Sequence, residues 1–149
     1  MGCPYNEAAS IKGAYLFAMP EVRELMDSCQ DRGKRGLPVK TWGGREYYVE
    51  PPKLVKGRMM NYAYKLLNYL IQGSSADCTK QAVIDWNADR GNGQFLATVH
   101  DEVDIQAPEE TWKQDMAKLQ TAMESIPFDI KMLSDGFVGK NWQELEKCV

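Results

Sequence analysis

The stretch FLATVHDEVDIQAP, Phe95–Pro108, decides how this chain is read. Phe95, Ala97 and Val99 stand at alternate positions, His100-Asp101-Glu102 interrupts, and Val103, Ile105 and Ala107 resume the alternation. A period of two marks half-buried strands, so the segment predicts a β-hairpin with His-Asp-Glu at its tip. A hairpin fixes the backbone of such carboxylates while its tip leaves them reachable, and hard divalent cations favour oxygen ligands of this kind. The plain alternative is an ordinary turn, where aspartate is common because its side chain bonds nearby backbone.

Working outward, the turn signal Gly91-Asn92-Gly93 precedes the hairpin. Before it, Tyr62, Leu66, Tyr69, Leu70, Val83, Ile84 and Trp86 recur at helix-like intervals and predict a long helix over roughly Met59–Ala88. Gly73-Ser74-Ser75 interrupts this pattern. A glycine inside a helix costs about 1 kcal/mol relative to alanine, so the site calls for close approach of another backbone or a ligand. Further upstream, VKTW and REYYV flank Gly43-Gly44 and predict a second hairpin carrying Arg45, with a two-residue turn. Two short helices open the chain, over Tyr5–Ala18 and from Pro20 to a C-capping Gly33. Downstream, Pro108 begins an amphipathic helix through about Ser125, and Phe128, Ile130 and Met132 alternate in a last strand before a turn at Gly139–Trp142. The class expected is α+β, in one domain over residues 1–149.

At 149 residues and 44% hydrophobic content, one core is affordable and two are not expected. No apolar run is long enough to span a bilayer, and the N-terminal residues lack the basic and apolar regions of a signal peptide, so no membrane association is expected. Cys3, Cys29, Cys78 and Cys148 are scattered without a C-x-x-C pair, which favours reduced structural thiols. A single histidine, His100, argues against zincins, multi-histidine phosphohydrolases and Cys/Ser-His hydrolases. The net charge of −3 conceals an asymmetry: +4 over residues 1–80 and −7 over 81–149. Arg32–Arg58 holds eight basic residues against Glu46 and Glu50. Such a segment suits phosphates, or is a solvated basic loop.

Two segments carry a family resemblance. YKLLNYLIQGSSADCTKQAVIDW, Tyr64–Trp86, resembles the palm helix of family A (DNA polymerase I-like) DNA polymerases, and Phe95–Pro108 resembles their motif C hairpin. TWGGREYYVEPP is similar to the family's G-R-x-Y hairpin, and Gly139–Trp142 to its C-terminal turn. The resemblance implies the C-terminal part of a polymerase palm, with helices and a basic hairpin over 1–58 and the palm helix, motif C hairpin, C-terminal helix and strand over 59–149. It implies template-dependent nucleotidyl transfer in DNA replication or repair. Asp101 would ligate two Mg²⁺ ions, Glu102 would be an auxiliary ligand, and His100 would lie near the primer terminus. Gln72 and Asn68 would bond the primer–template minor groove, and Arg45 and Lys65 the DNA backbone. The implied partners are primer–template DNA and deoxynucleoside triphosphates; the implied setting is the cytoplasm of a bacterial cell or phage-infected host.

The pattern departs from the family at Tyr64, where bacterial relatives tend to have a basic residue, with Lys65 beside it. No counterpart of the first palm aspartate segment or of the nucleotide-gripping helix is found. The expectation is therefore a chain inactive alone, which needs an upstream polymerase portion or a homo-oligomer to cover the hairpin's apolar surface and open edge. The competing reading is a non-catalytic DNA-binding or assembly module.

Overall fold

The computed structural model describes residues 2–148. It is an α+β protein, as expected, in which antiparallel two-stranded ribbons alternate with helices. Two compact units meet within one helix, the first ending at Gly73 and the second beginning at Ser74. No helix among the described residues is long and apolar enough to cross a membrane.

The first unit opens with α1 (Tyr5–Ala18) and α2 (Pro20–Lys34). Pro20 occupies the first turn of α2, where its missing N–H would be unbonded anyway. The glycine that leaves this helix is Gly36, at φ +70°, and not Gly33. Gly33 lies inside α2 for a packing reason: a Cβ there would stand 2.7 Å from Val49 and 2.9 Å from Ala63. That approach builds a core of Cys29, Val39 and Leu66, flanked by Tyr47, Val49 and Tyr69. Burial pushes the Cys29 thiol pKa up, against a smaller opposing influence of Arg32, as fits a packed thiol.

Strands β1 (Val39–Lys40) and β2 (Glu46–Tyr47) pair antiparallel as the expected hairpin. The connection is five residues, Thr41–Arg45, and not two, and Gly44 alone takes positive φ, at +85°. A second ribbon then appears where the pattern predicts the start of a helix. Strands β3 (Lys53–Val55) and β4 (Arg58–Met60) are joined by Lys56-Gly57, both at positive φ. Positive φ at both central residues is the turn that matches strand twist, and it overrides the helical spacing of the apolar residues. Helix α3 therefore runs Lys65–Ala88, shorter than predicted, and passes through Gly73 without a break.

In the second unit, β5 (Gln94–Val99) and β6 (Glu102–Gln106) form the hairpin, with a register shift between Phe95 and Ala97. Helix α4 spans Trp112–Glu124, starting one turn later than Pro108 suggests, because Thr111 and not the proline leads into it. The core is Trp86, Leu119 and Ala122, with Val103, Ile105 and Met123 packed against it. No strand forms over Phe128–Met132. The last ribbon is instead β7 (Phe137–Val138) with β8 (Glu146–Lys147). The alternation of Phe128, Ile130 and Met132 is real, but these residues have no partner strand, and Ile130 is 78% exposed. The segment is tied down by Glu124, which accepts hydrogen bonds from the Ser134 N–H at 3.0 Å and its hydroxyl at 3.2 Å.

Candidate functional site

The hairpin tip is tighter than predicted. Val99 pairs with Glu102, so only His100 and Asp101 form the turn and Glu102 opens β6. His100 adopts φ +57°, a conformation that favours glycine and costs other residues about 1–2 kcal/mol. Strain of this kind gathers at functional sites when the surrounding structure enforces it. Here pairing on both sides enforces it, and Val103 and Ile105 of β6 are anchored against the Trp86 cluster. His100, Asp101 and Glu102 are all exposed. The structure thus brings these three residues together on one rigid, solvent-facing tip.

Behind the tip, β5 leaves apolar side chains uncovered: Phe95, Leu96 and Val99 are 44%, 55% and 48% exposed. The sheet has two strands only, so both edges are open within the described residues.

The other predicted residues lie in the first unit. Asn68 and Gln72 are exposed and one turn apart on α3. Arg45 is half-buried; its guanidinium donates to the Gly73 carbonyl at 2.9 Å and to the Tyr47 hydroxyl at 3.0 Å. This arrangement accounts for Gly73. A Cβ there would stand 2.6 Å from Thr41 and 3.1 Å from Tyr47, so the close approach inferred from the glycine is made by hairpin side chains. Thr41 is 4% exposed and cannot retreat into solvent. Gly73→Ala is expected to destabilise by about 1–3 kcal/mol through overpacking. Urea unfolding would show it as a lower midpoint at unchanged slope.

Lys65 sits at the start of α3. Its ammonium bonds the Glu50 carboxylate at 2.7 Å and lies 4.4 Å from the Tyr62 ring centroid. Tyr69 donates to the same carboxylate oxygen at 2.7 Å. The bond from Lys65, then that from Tyr69, holds the Glu50 carboxyl below its ordinary 4.5. A depressed folded-state pKa contributes stability above the unfolded value, and that stability is lost as pH falls through the folded one. Lys65 is raised above 10.5 chiefly by the same bond, so its contribution fades only in strongly alkaline solution. Glu50→Gln is therefore expected to lower stability at neutral pH and to flatten part of both its acid-side loss and its strongly alkaline loss. Unfolding midpoints measured from neutrality down through the carboxylate range check this, and an unchanged acid limb would refute it.

Two features escape a pattern-based reading. The Glu50–Lys65–Tyr69 cluster joins residues 15 and 19 positions apart, a separation that carries no periodic signal. Asp115 looks like a surface carboxylate but is 2% exposed; it accepts from the Asn92 N–H at 3.1 Å and the Thr111 hydroxyl at 2.8 Å. It ties the turn before the hairpin to the start of α4.

As for a metal, the donor chemistry at the tip suits Mg²⁺: Asp101 and Glu102 offer hard, exposed carboxylate oxygens. No group of three or more candidate metal ligands occurs among the described residues.

A long helix followed by a hairpin with paired carboxylates exposed at its tip defines the class, an α+β protein of helices and two-stranded ribbons. The model of DNA polymerase family A matches residues 1–144, and the chain belongs to that family. DNA polymerase I of Deinococcus radiodurans is 31% identical over 147 residues, 95% of this chain and 15% of that protein. The thermostable DNA polymerase I of Thermus aquaticus is 25% identical over 146 residues, 95% of this chain and 18% of that protein. The chain thus spans less than a fifth of the length of these relatives. Among solved structures, the POL domain of Pol1 from M. smegmatis, in complex with DNA primer-template and dNTP, matches with a TM-score of 0.73 at 22% identity. That match covers 90% of this chain and 24% of the other, and is a likeness of fold.

Proposed function

We propose that this chain is the C-terminal palm portion of a DNA-directed DNA polymerase, acting as one functional piece in template-dependent nucleotidyl transfer. The observation that carries the reading is the exposed Asp101-Glu102 pair at the tip of the hairpin, in a chain of this family. Asp101 and Glu102 would hold Mg²⁺, which in such sites aligns the attacking hydroxyl with the nucleotide phosphate and steadies the leaving group. His100, fixed beside them, would face the primer terminus. Asn68 and Gln72 would donate to the minor-groove acceptors that every base pair presents, which senses pair shape and not sequence. Arg45 and Lys65 already have partners within the protein, so a contact with DNA phosphates would share or replace those bonds.

With two carboxylates at the tip and no group of three or more candidate ligands among the described residues, the chain alone would not extend primers. A further carboxylate and the nucleotide-binding surface would come from an upstream polymerase portion, seated on the uncovered face of β5 in the bacterial or phage-infected cytoplasm. Self-association is the other way to cover that face. The test is primer extension with Mg²⁺ and all four deoxynucleotides, by the chain alone and mixed with the upstream polymerase portion. Extension on mixing only is expected. Extension by the chain alone would refute the division of the site, and no extension in either case would favour a non-catalytic DNA-binding module.

A further inference from the structure

We propose that the β3–β4 ribbon grips the phosphate backbone of duplex DNA through Lys53, Lys56 and Arg58, a contact separate from Arg45, Lys65, Asn68 and Gln72. The choice of DNA as the polyanion rests on the polymerase reading above. Every residue from Pro51 to Met60 is exposed, and none of them is acidic.

The register pairs Lys53 with Met60, Leu54 with Met59 and Val55 with Arg58. Paired residues share a face and neighbours along a strand alternate, so Lys53, Val55, Arg58 and Met60 form one face and Leu54 and Met59 the other. Lys53 and Arg58 are thereby diagonal neighbours, about 7–8 Å apart, with Lys56 at the tip between the strands. None of the three is within ion-pair distance of an acid among the described residues. Lys53 is near enough to Glu50 to help lower its pKa, but the bonds to Glu50 come from Lys65 and Tyr69. Most other cations of the basic segment are engaged: Arg32 with the Pro38 carbonyl, Arg35 with Asp31, Lys40 with Glu46, and Arg45 with Gly73 and Tyr47.

The turn supplies an independent argument. Lys56 at φ +49° and Gly57 at φ +75° occupy the central positions where Asn-Gly or Asp-Gly is favoured. Lysine there costs about 1–2 kcal/mol, so this turn tolerates strain and places a cation where a neutral side chain fits better. Pro51-Pro52 stiffens the entry to the ribbon. A two-stranded ribbon is also narrow enough to enter the major groove, which brings its flanking cations to the phosphates on either side.

The experiment is fluorescence-anisotropy titration of the full chain with a primer–template duplex over a range of salt concentrations. Lys56→Asn installs the residue the turn prefers and so preserves the fold; it is expected to make the slope of log affinity against log salt shallower by about 1. The triple variant Lys53→Gln, Lys56→Asn, Arg58→Gln is expected to make it shallower by about 3, equally on duplexes of unrelated sequence. Lys53→Arg retains the wild-type slope. Wild-type binding with slopes unchanged in both variants overturns the ribbon contact and leaves the polymerase reading standing. No binding by the wild-type chain overturns the ribbon contact together with DNA as its partner.

Discussion

Asp101→Ala is expected to lower primer extension by the reassembled polymerase by at least about a thousandfold while leaving the unfolding midpoint close to wild type. The first half follows from charge. Phosphoryl transfer is dominated by positioning and by stabilisation of developing negative charge, and a carboxylate that holds the metal contributes several kcal/mol to that stabilisation. At 1.36 kcal/mol per factor of ten, about 4 kcal/mol is a thousandfold. The second half follows from position. Asp101 is exposed, at φ outside the left-handed region, and the pairs Val99–Glu102 and Thr98–Val103 do not use its side chain. Asp101→Asn keeps the shape and removes the charge, so it should lose nearly as much activity. Steady-state extension rates together with urea unfolding decide it. Retained synthesis in Asp101→Ala would sink the assignment of the metal ligand, and a collapse of stability would show that the residue serves the turn.

The acidic hairpin was legible in the sequence because its signal is local: alternation on both sides of a polar break specifies strands, turn and exposed tip together. The helix pair Tyr5–Ala18 and Pro20–Lys34 was legible for the same reason, with Pro20 marking the start of the second. Where the reading failed, tertiary partners decided. Phe128–Met132 alternates like a strand but finds no neighbour, whereas Phe137–Val138, too short to stand out, finds Glu146–Lys147. Met59 and Met60 fit a helical spacing with the residues that follow, yet Lys56-Gly57 turns the chain and draws them into β4. Gly73 marks a close approach, but side chains make it and not the backbone or ligand that the glycine alone suggests. The approaching groups, Thr41, Tyr47 and Arg45, could be named only once the hairpin was seen against the helix.

Trp86→Ala should produce the largest loss of stability in the second unit, about 3–5 kcal/mol, against the 5–15 kcal/mol typical of a whole domain. Trp86 is 2% exposed and joins three elements: α3, which carries it; α4, through Leu119, Ala122 and Met123; and β6, through Val103 and Ile105. Gly93 completes the site, since a Cβ there would stand 2.9 Å from the indole ring. Small residues on one side and apolar ones on the other leave little that can collapse into the space, which puts the cost toward the upper end of the range. The indole N–H has no hydrogen-bond partner among the described residues, so Trp86→Phe removes volume without breaking such a bond and should cost less than half as much. The same packing couples stability to chemistry. Val103 and Ile105 hold β6 in register, β6 begins at Glu102, and a displacement of about 1 Å at reacting groups can cost a hundredfold in rate. Trp86→Ala in the reassembled enzyme should therefore lose both stability and extension, whereas Asp101→Ala loses extension alone. Urea midpoints and extension rates measured side by side separate the two, and an unfolding midpoint unmoved by Trp86→Ala would refute the role of this cluster in holding the hairpin.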